Sequence, residues 1–353
     1  MARVSVAFLT LTLAGCVFLR KPPQAVLLAE QIDGATFRFS ALDSSDPDGA
    51  IVAIVWSFGD GATAAGPVEV HTYAEPGDYT VVVEITDDDG LTATAEHLIT
   101  AHREILVPRD YATIQAAIDA ATDGDVITLA GQSFNEQIRY GRKAITIRGE
   151  GQTETTLHPP PIDSGADPTA IVTFDAGEAR GSVLENLTIQ GGAWSFFEAG
   201  AIRIVDASPI IRGCIISSHG ATFGGAVSVR ESAALFEGNR FLNNQATVDG
   251  GAVYVIGAST FPDFVDNEFA GNFADAGGAI CLRALDGTAI AADAKLSSIS
   301  GNIFESNRAL GSPATAALRG GAIHVGLGVR IQLGDNEFID NTPNDILYED
   351  PGL

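Results

Sequence analysis

The phrase Gly-Gly-Ala-(Val/Ile) recurs four times in the last third of the chain, at Gly224, Gly250, Gly277 and Gly320. Each copy is followed by Asn-x-Phe-x-x-Asn: Asn239/Phe241/Asn244, Asn267/Phe269/Asn272, Asn302/Phe304/Asn307 and Asn336/Phe338/Asn341. The first three copies start 26 and 27 residues apart. A unit of that length cannot bury its own apolar face, whereas stacked copies can, so the period calls for a solenoid. Val227/Val229, Val253/Val255, Ile280/Leu282 and Ile323/Val325 are expected to point inward and stack. The four phenylalanines should stack likewise. The asparagines should form ladders at turns, where Asn tolerates left-handed backbone and its amide bonds along the stack. Cys214 falls at the Asn239 position one coil earlier, and Ala199-Gly200-Ala201-Ile202 is a degenerate copy of the glycine phrase.

A chain of 353 residues has room for two or three domains. Its 45 acidic and 20 basic side chains give a net charge of −25. That balance argues against nucleic acid as a partner and against docking on an anionic lipid surface through charge. Thirty-nine glycines suit a β-rich chain with many tight turns. Cys16, Cys214 and Cys281 fit neither a metal-site spacing nor a disulfide framework, and no disulfide is expected.

Arg3 precedes the uncharged apolar stretch Val4 to Leu13, which ends in Leu13-Ala14-Gly15-Cys16. A charged start, a short apolar run and small residues describe an export signal over 1–15. The last four residues resemble a bacterial lipobox. That resemblance implies cleavage before Cys16, acylation of its thiol and anchorage to a membrane, with 16–23 as a tether. Valine at 17 implies the outer membrane, if the cell is Gram-negative. An uncleaved anchor running on through Val17-Phe18-Leu19 is the alternative, though short for a span.

Between 24 and 101, Tyr79, Val81, Val83 and Ile85 alternate as a half-buried strand does. Gly59-Asp60-Gly61, Pro76-Gly77-Asp78 and Asp88-Asp89-Gly90 read as turns, so the segment should be a small β-sandwich. Its phrases Asp46-Pro47-Asp48-Gly49, Trp56-Ser57-Phe58-Gly59-Asp60-Gly61, His71-Thr72-Tyr73 and Pro76-Gly77-Asp78-Tyr79-Thr80-Val81 resemble, in order, the polycystic-kidney-disease (PKD) repeat. The resemblance implies an Ig-like sandwich with Trp56 in the core, serving as a spacer or contact module on an extracellular protein. It also makes Asp46, Asp48 and Asp87 candidate calcium ligands; turn capping suits the same carboxylates. No cofactor is required otherwise.

The remaining segment, 104–353, opens with Ile114, Ala117, Ile118 and Ala121 on one face of a short helix, capped by Thr113 or Asp110 and ended by Gly124. The phrase from Tyr111 to Leu129 resembles the start of right-handed parallel β-helices of the pectin-lyase-like class, whose helix covers the first coil. The expected fold is therefore all-β: a PKD-like sandwich, then a right-handed parallel β-helix with a short N-terminal capping helix. Each coil should hold three short strands. Two insertions, near 284–296 and 309–318, stretch neighbouring coils and should project from the surface, as walls of a groove or as inert excursions.

If Val227 and Val229 point in, the outward ladder is Arg203, Ser228, Tyr254, Cys281 and His324, beside Arg230 and Arg283. Arg203, Arg230, Tyr254, Arg283 and His324 then form a candidate surface for sugars, through stacking and guanidinium hydrogen bonds; an ordinary solvated face is the alternative. Asp249, Asp263, Asp266 and Asp275 are the nearest approach to a carboxylate set for acid–base or metal chemistry. Neither lysine of this segment, Lys143 or Lys295, adjoins a carboxylate cluster as a lyase base would, and Ser218-His219-Gly220 only partly echoes a hydrolase phrase. The expectation is a lipid-anchored envelope protein that binds or scaffolds at a surface, with polysaccharide or another surface protein as partner. A pectin-lyase-like lyase or glycoside hydrolase is the alternative.

Overall fold

The computed structural model describes residues 20–349, apart from 33, 162–169, 192–194, 259–260, 286–295 and 311–319. The signal stretch, Cys16, Lys295 and most of both insertions lie outside the described residues. The chain divides into two compact units between Ala101 and His102. Among the described residues no helix is long and apolar enough to cross a membrane.

The first unit is an antiparallel sandwich. One sheet orders Leu28–Gln31, Thr36–Ser40 and Val68–Thr72; the other orders Thr63–Ala65, Ile51–Ser57, Gly77–Asp87 and Thr92–Ala101. Alternation decides what each strand buries: Val81, Val83 and Ile85 are wholly enclosed with Trp56 and Phe39. Burial of the indole would orphan its N–H, and Gly66 supplies the carbonyl at 2.8 Å.

The second unit is a parallel β-helix. The helix Ile114–Ala120 starts on Thr113, whose hydroxyl accepts from the Ala116 amide, and buries Ile114, Ala117 and Ile118. It finishes at Ala121, short of Gly124, which instead turns the chain toward the strand Val126–Leu129. Where three strands per coil were expected, the middle coils carry four. One coil runs Ile210–Arg212, Ile215–Ser217, Gly220–Phe223 and Val227–Arg230 before Leu235–Glu237 opens the next. These stack into a nine-stranded first face, an eight-stranded second, a five-stranded third and an eight-stranded fourth. The corners explain the count. Gly213, Ser218, Gly224 and Glu231 all have positive φ, between 44° and 61°, so each strand is cut after three or four residues.

The predicted inward ladders hold. Val227, Val253, Ile280 and Ile323 are register partners in turn, as are Val229, Val255, Leu282 and Val325. Phe241, Phe269, Phe304 and Phe338 stack at 4.7, 4.9 and 5.1 Å. The asparagines form two ladders, but the left-handed residue is the one before all of them except Asn336: Gly238, Asn243, Asp266, Gly271, Gly301, Ser306 and Asp340. Each buried amide donates to the next coil's Asn Oδ1 and to a main-chain carbonyl, as Asn239 does to Asn267 and Ile211, until Asn341 ends its ladder on Asp345.

Candidate functional site

The outward ladder exists as a register: Arg203, Ser228, Tyr254, Cys281 and His324 are successive partners on the fourth face. It is not the open platform that alternation implied. Ser228, Tyr254, Cys281 and His324 are buried, and Phe223 of the third face lies 5.1 Å from the Tyr254 ring. Arg203 stays partly exposed and pairs with Asp175 at 3.4 Å, which Arg139 also reaches at 3.5 Å. Arg230 sits one column over, between Val205 and Ile256.

At the C-terminal end, Arg283 holds Asp249 through two bonds of 2.7 and 3.2 Å. Its other arm reaches Glu349 at 3.3 Å, and His324 Nε2 lies 2.9 Å from the same carboxylate oxygen. Glu349 also accepts from the Leu327 amide at 3.0 Å. Burial opposes the Arg283 charge, but the bonds to Asp249 raise its pKa above the ordinary value all the same. Burial lowers the pKa of His324 against the opposing bond to Glu349, so the imidazole is neutral at pH 7 and donates from Nε2. Its Nδ1 is buried without a hydrogen-bond partner. The Cys281 thiol is pushed well up by burial. As chemistry this is a closed network: its one bare base is almost inaccessible, and its carboxylates are bound to cations.

The four aspartates do not converge. Asp249 and Asp275 occupy adjacent rungs where the third face meets the fourth, the Asp249 rung bridging to Ala276. Asp263 lies in a first-face strand, accepting from Ser298, and Asp266 is a left-handed corner residue just beyond it. Lys143 donates to the carbonyls of Ile118 and Asp119, capping the end of the helix. In the sandwich, Asp87 takes the amides of Asp89 and Leu91, Asp46 takes that of Asp48, and Asp48 takes that of Lys21. Among the described residues no three His, Cys, Asp or Glu side chains gather as a metal cage would require.

Cys214 and His219 head the two asparagine ladders. Their backbone amides donate to Asn239 and Asn244 Oδ1, and His219 Nε2 donates to the Ile189 carbonyl at 3.0 Å, as the later asparagines donate to theirs. Among the described residues Cys214 and Cys281 are unbridged and buried, and burial pushes the Cys214 thiol up to about 12. Burial lowers His219 to about 4, against an ordinary 6.5. A pKa lowered on folding makes the unfolded chain the better proton binder between those values. The stability His219 allows is therefore complete above pH 6.5 and is lost as pH falls toward 4, by about 3 kcal/mol in all. His219→Asn should continue the ladder and remove that limb. Urea midpoints at pH 7 and 4.5 should differ less in the variant than in the parent; equal differences would refute the assignment.

One site went unread in the sequence. On the first face, Arg148, Glu185, Arg212 and Glu237 are successive register partners. Both guanidiniums close on the buried Glu185, each at 2.6 Å, beside an open cleft of about 430 Å³ lined also by Asn186 and Gly213. The available signal was a large apolar residue, a charge, then Gly or Asn: Ile147-Arg148-Gly149, Leu184-Glu185-Asn186, Ile211-Arg212-Gly213, Phe236-Glu237-Gly238.

Residues 20–101 match the family model of the PKD domain, and 240–256 match the Chlamydia polymorphic membrane protein repeat. A microbial collagenase of Vibrio alginolyticus is 36% identical over 117 residues, 31% of this chain and 14% of that protein. The pre-pro-metalloprotease PrtV of Vibrio cholerae is 35% identical over 112 residues, 30% of this chain and 12% of that protein. The chain thus spans under a sixth of either relative, within the PKD region. The solved PKD1 domain of Vibrio cholerae PrtV is 31% identical, covering 23% of this chain and 98% of its own, with a TM-score of 0.22. A solved structure of carbohydrate-binding modules from the β-sandwich superfamily is 29% identical over 24% of this chain and 37% of its own, with a TM-score of 0.23. The N-terminal unit is a PKD domain, joined to a parallel β-helix.

Proposed function

We propose that the protein is a lipid-anchored component of the cell envelope that binds or scaffolds at a surface, with glycans as its candidate ligands. The observation that carries this reading is the fate of the acid–base candidates. Asp249 is committed to Arg283 by a bidentate bond, and Asp263 and Asp266 stand at a different corner of the coil. Polysaccharide cleavage by hydrolysis needs two carboxylates facing one bond, and elimination needs a base that reaches the substrate. The PKD domain supports the same reading as a spacer or contact module, and the small residues before Cys16 support an acylated anchor.

The test incubates the full-length protein in detergent with acidic and neutral polysaccharides, with and without calcium. Retention and the release of unsaturated or reducing ends are both followed. Retention of at least one polymer without product is expected. Product release would overturn the reading in favour of a lyase or hydrolase, and absence of both would overturn the glycan part.

A further inference from the structure

The Arg148–Glu185–Arg212 triad has no part in the predicted ladders, yet it is better ordered than a surface ion pair needs to be. Glu185 is 7% exposed, and its two oxygens are taken by different arginines from the coils on either side. Arg148 uses only Nε and Arg212 only Nε and Nη2, so the remaining guanidinium N–H groups have no protein partner among the described residues. Both side chains remain about one-third to one-half exposed, at 35% and 48%. The triad carries two positive charges against one negative, in a chain whose net charge is −25. Because the shared carboxylate already fixes both guanidiniums, a ligand would not have to immobilise two long side chains. Free forked donors on a positive, preorganised pair are what an oxyanion requires.

One rung further, Glu237 is exposed and makes no side-chain bond among the described residues. Rungs lie ~4.8 Å apart. That is the scale of a sugar ring, so an anionic substituent over the arginines would bring a neighbouring hydroxyl to Glu237 as its donor. Glu237 would also repel a second negative charge, which disfavours densely charged polymers such as nucleic acid.

We propose that this cleft is a binding subsite for a saccharide bearing an oxyanion ester, sulfate or phosphate. The proposal deepens the surface-binding reading and rests on it.

The experiment is calorimetric titration of the full-length protein with a sulfated oligosaccharide, a phosphorylated one, a neutral one of equal length, and inorganic sulfate. An esterified sugar should bind and the neutral one should not, and binding should weaken with salt. The preferred ester identifies the source of the anion. Arg148→Gln and Arg212→Gln should each weaken binding about tenfold. Since either change also strips a partner from buried Glu185, Glu237→Gln provides a variant that leaves the triad intact. It should tighten inorganic sulfate roughly twofold by removing a nearby negative charge, while erasing the advantage of the sugar ester over sulfate. Unchanged binding in both arginine variants, or no effect of Glu237→Gln, would overturn the site. Failure of every oxyanion probe while polysaccharides are still retained would overturn this subsite alone; loss of retention as well would remove the reading beneath it.

Discussion

Asn272→Ala should destabilise the β-helix by about 4 kcal/mol, more than most core truncations of similar size, because the side chain it removes is a complete hydrogen-bonding junction. Its Nδ2 donates to the Phe241 carbonyl at 2.8 Å and to Asn307 Oδ1 at 3.0 Å. Its Oδ1 accepts the Asn244 amide and the Asn244 Nδ2, both at 3.0 Å. The residue is fully buried, so water cannot replace these partners. Alanine leaves the Asn244 N–H orphaned between coils, at ~1–3 kcal/mol, and strips one donor each from the Phe241 carbonyl and Asn307 Oδ1. Asn272→Asp keeps the acceptor but loses the donor and buries a charge beside the Asn307 and Phe241 oxygens, so it should be at least as harmful. Urea titration followed by circular dichroism measures the loss. Hydrogen exchange should place it first in the coils on either side of Asn272, since a solenoid's coils are coupled mainly to their neighbours. A loss under ~1 kcal/mol would mean the ladder is ornament to a stack held by its aliphatic core.

The residues that repeat were legible because repetition turns spacing into geometry. Val227, Phe241 and Asn244 each predict their own partners one coil on, and those partners are found. The extra strand of the middle coils, on the third face, was not legible, because Gly220–Phe223 and Gln245–Asp249 carry little aliphatic pattern and are delimited by corner dihedrals, not by burial. Alternation placed Tyr254 and Cys281 outside the coil correctly, but it cannot say what covers an outward face, and the third face does so at Phe223. The aspartates looked clustered because the repeat frame collapses a coil onto a line; restoring the corners sends Asp249 and Asp263 to different sheets. The arginine triad stayed hidden for the opposite reason. Arg148 and Glu185 are 37 residues apart and Glu185 and Arg212 only 27, so no fixed period brings them together.

Gly251→Ala is expected to be more damaging still, because the second glycine of the phrase lies directly against the next coil. A Cβ at Gly251 would lie 2.0 Å from the Gly278 carbonyl oxygen and 2.6 and 2.7 Å from the backbone N and C of Phe273. All three belong to main chain of the next coil, so no side chain can rotate away. Gly225 and Gly278 meet the same obstruction from the coils that follow them, at 2.2 and 2.1 Å. The glycines are therefore a column of closest approach, and one methyl must pry two rungs apart. Opening that gap would break the bonds that register the fourth face there, Gly251 to Gly277 and Ala252 to Ala279, both at 3.0 Å. A loss above ~4 kcal/mol follows if backbone strain and lost rung bonds combine as an overpacked core would. Gly238 separates this steric cause from mere conformational freedom. It has φ +60° but nothing within 4 Å of a built Cβ, so Gly238→Ala should lose only the ~1–2 kcal/mol of a left-handed alanine. Thermal melting and protease resistance of the two variants, side by side, decide the matter. Equal melting temperatures would show that the coils yield readily at the glycine column, and that the Gly-Gly-Ala phrase is kept for its dihedrals and not for the close stacking of its rungs.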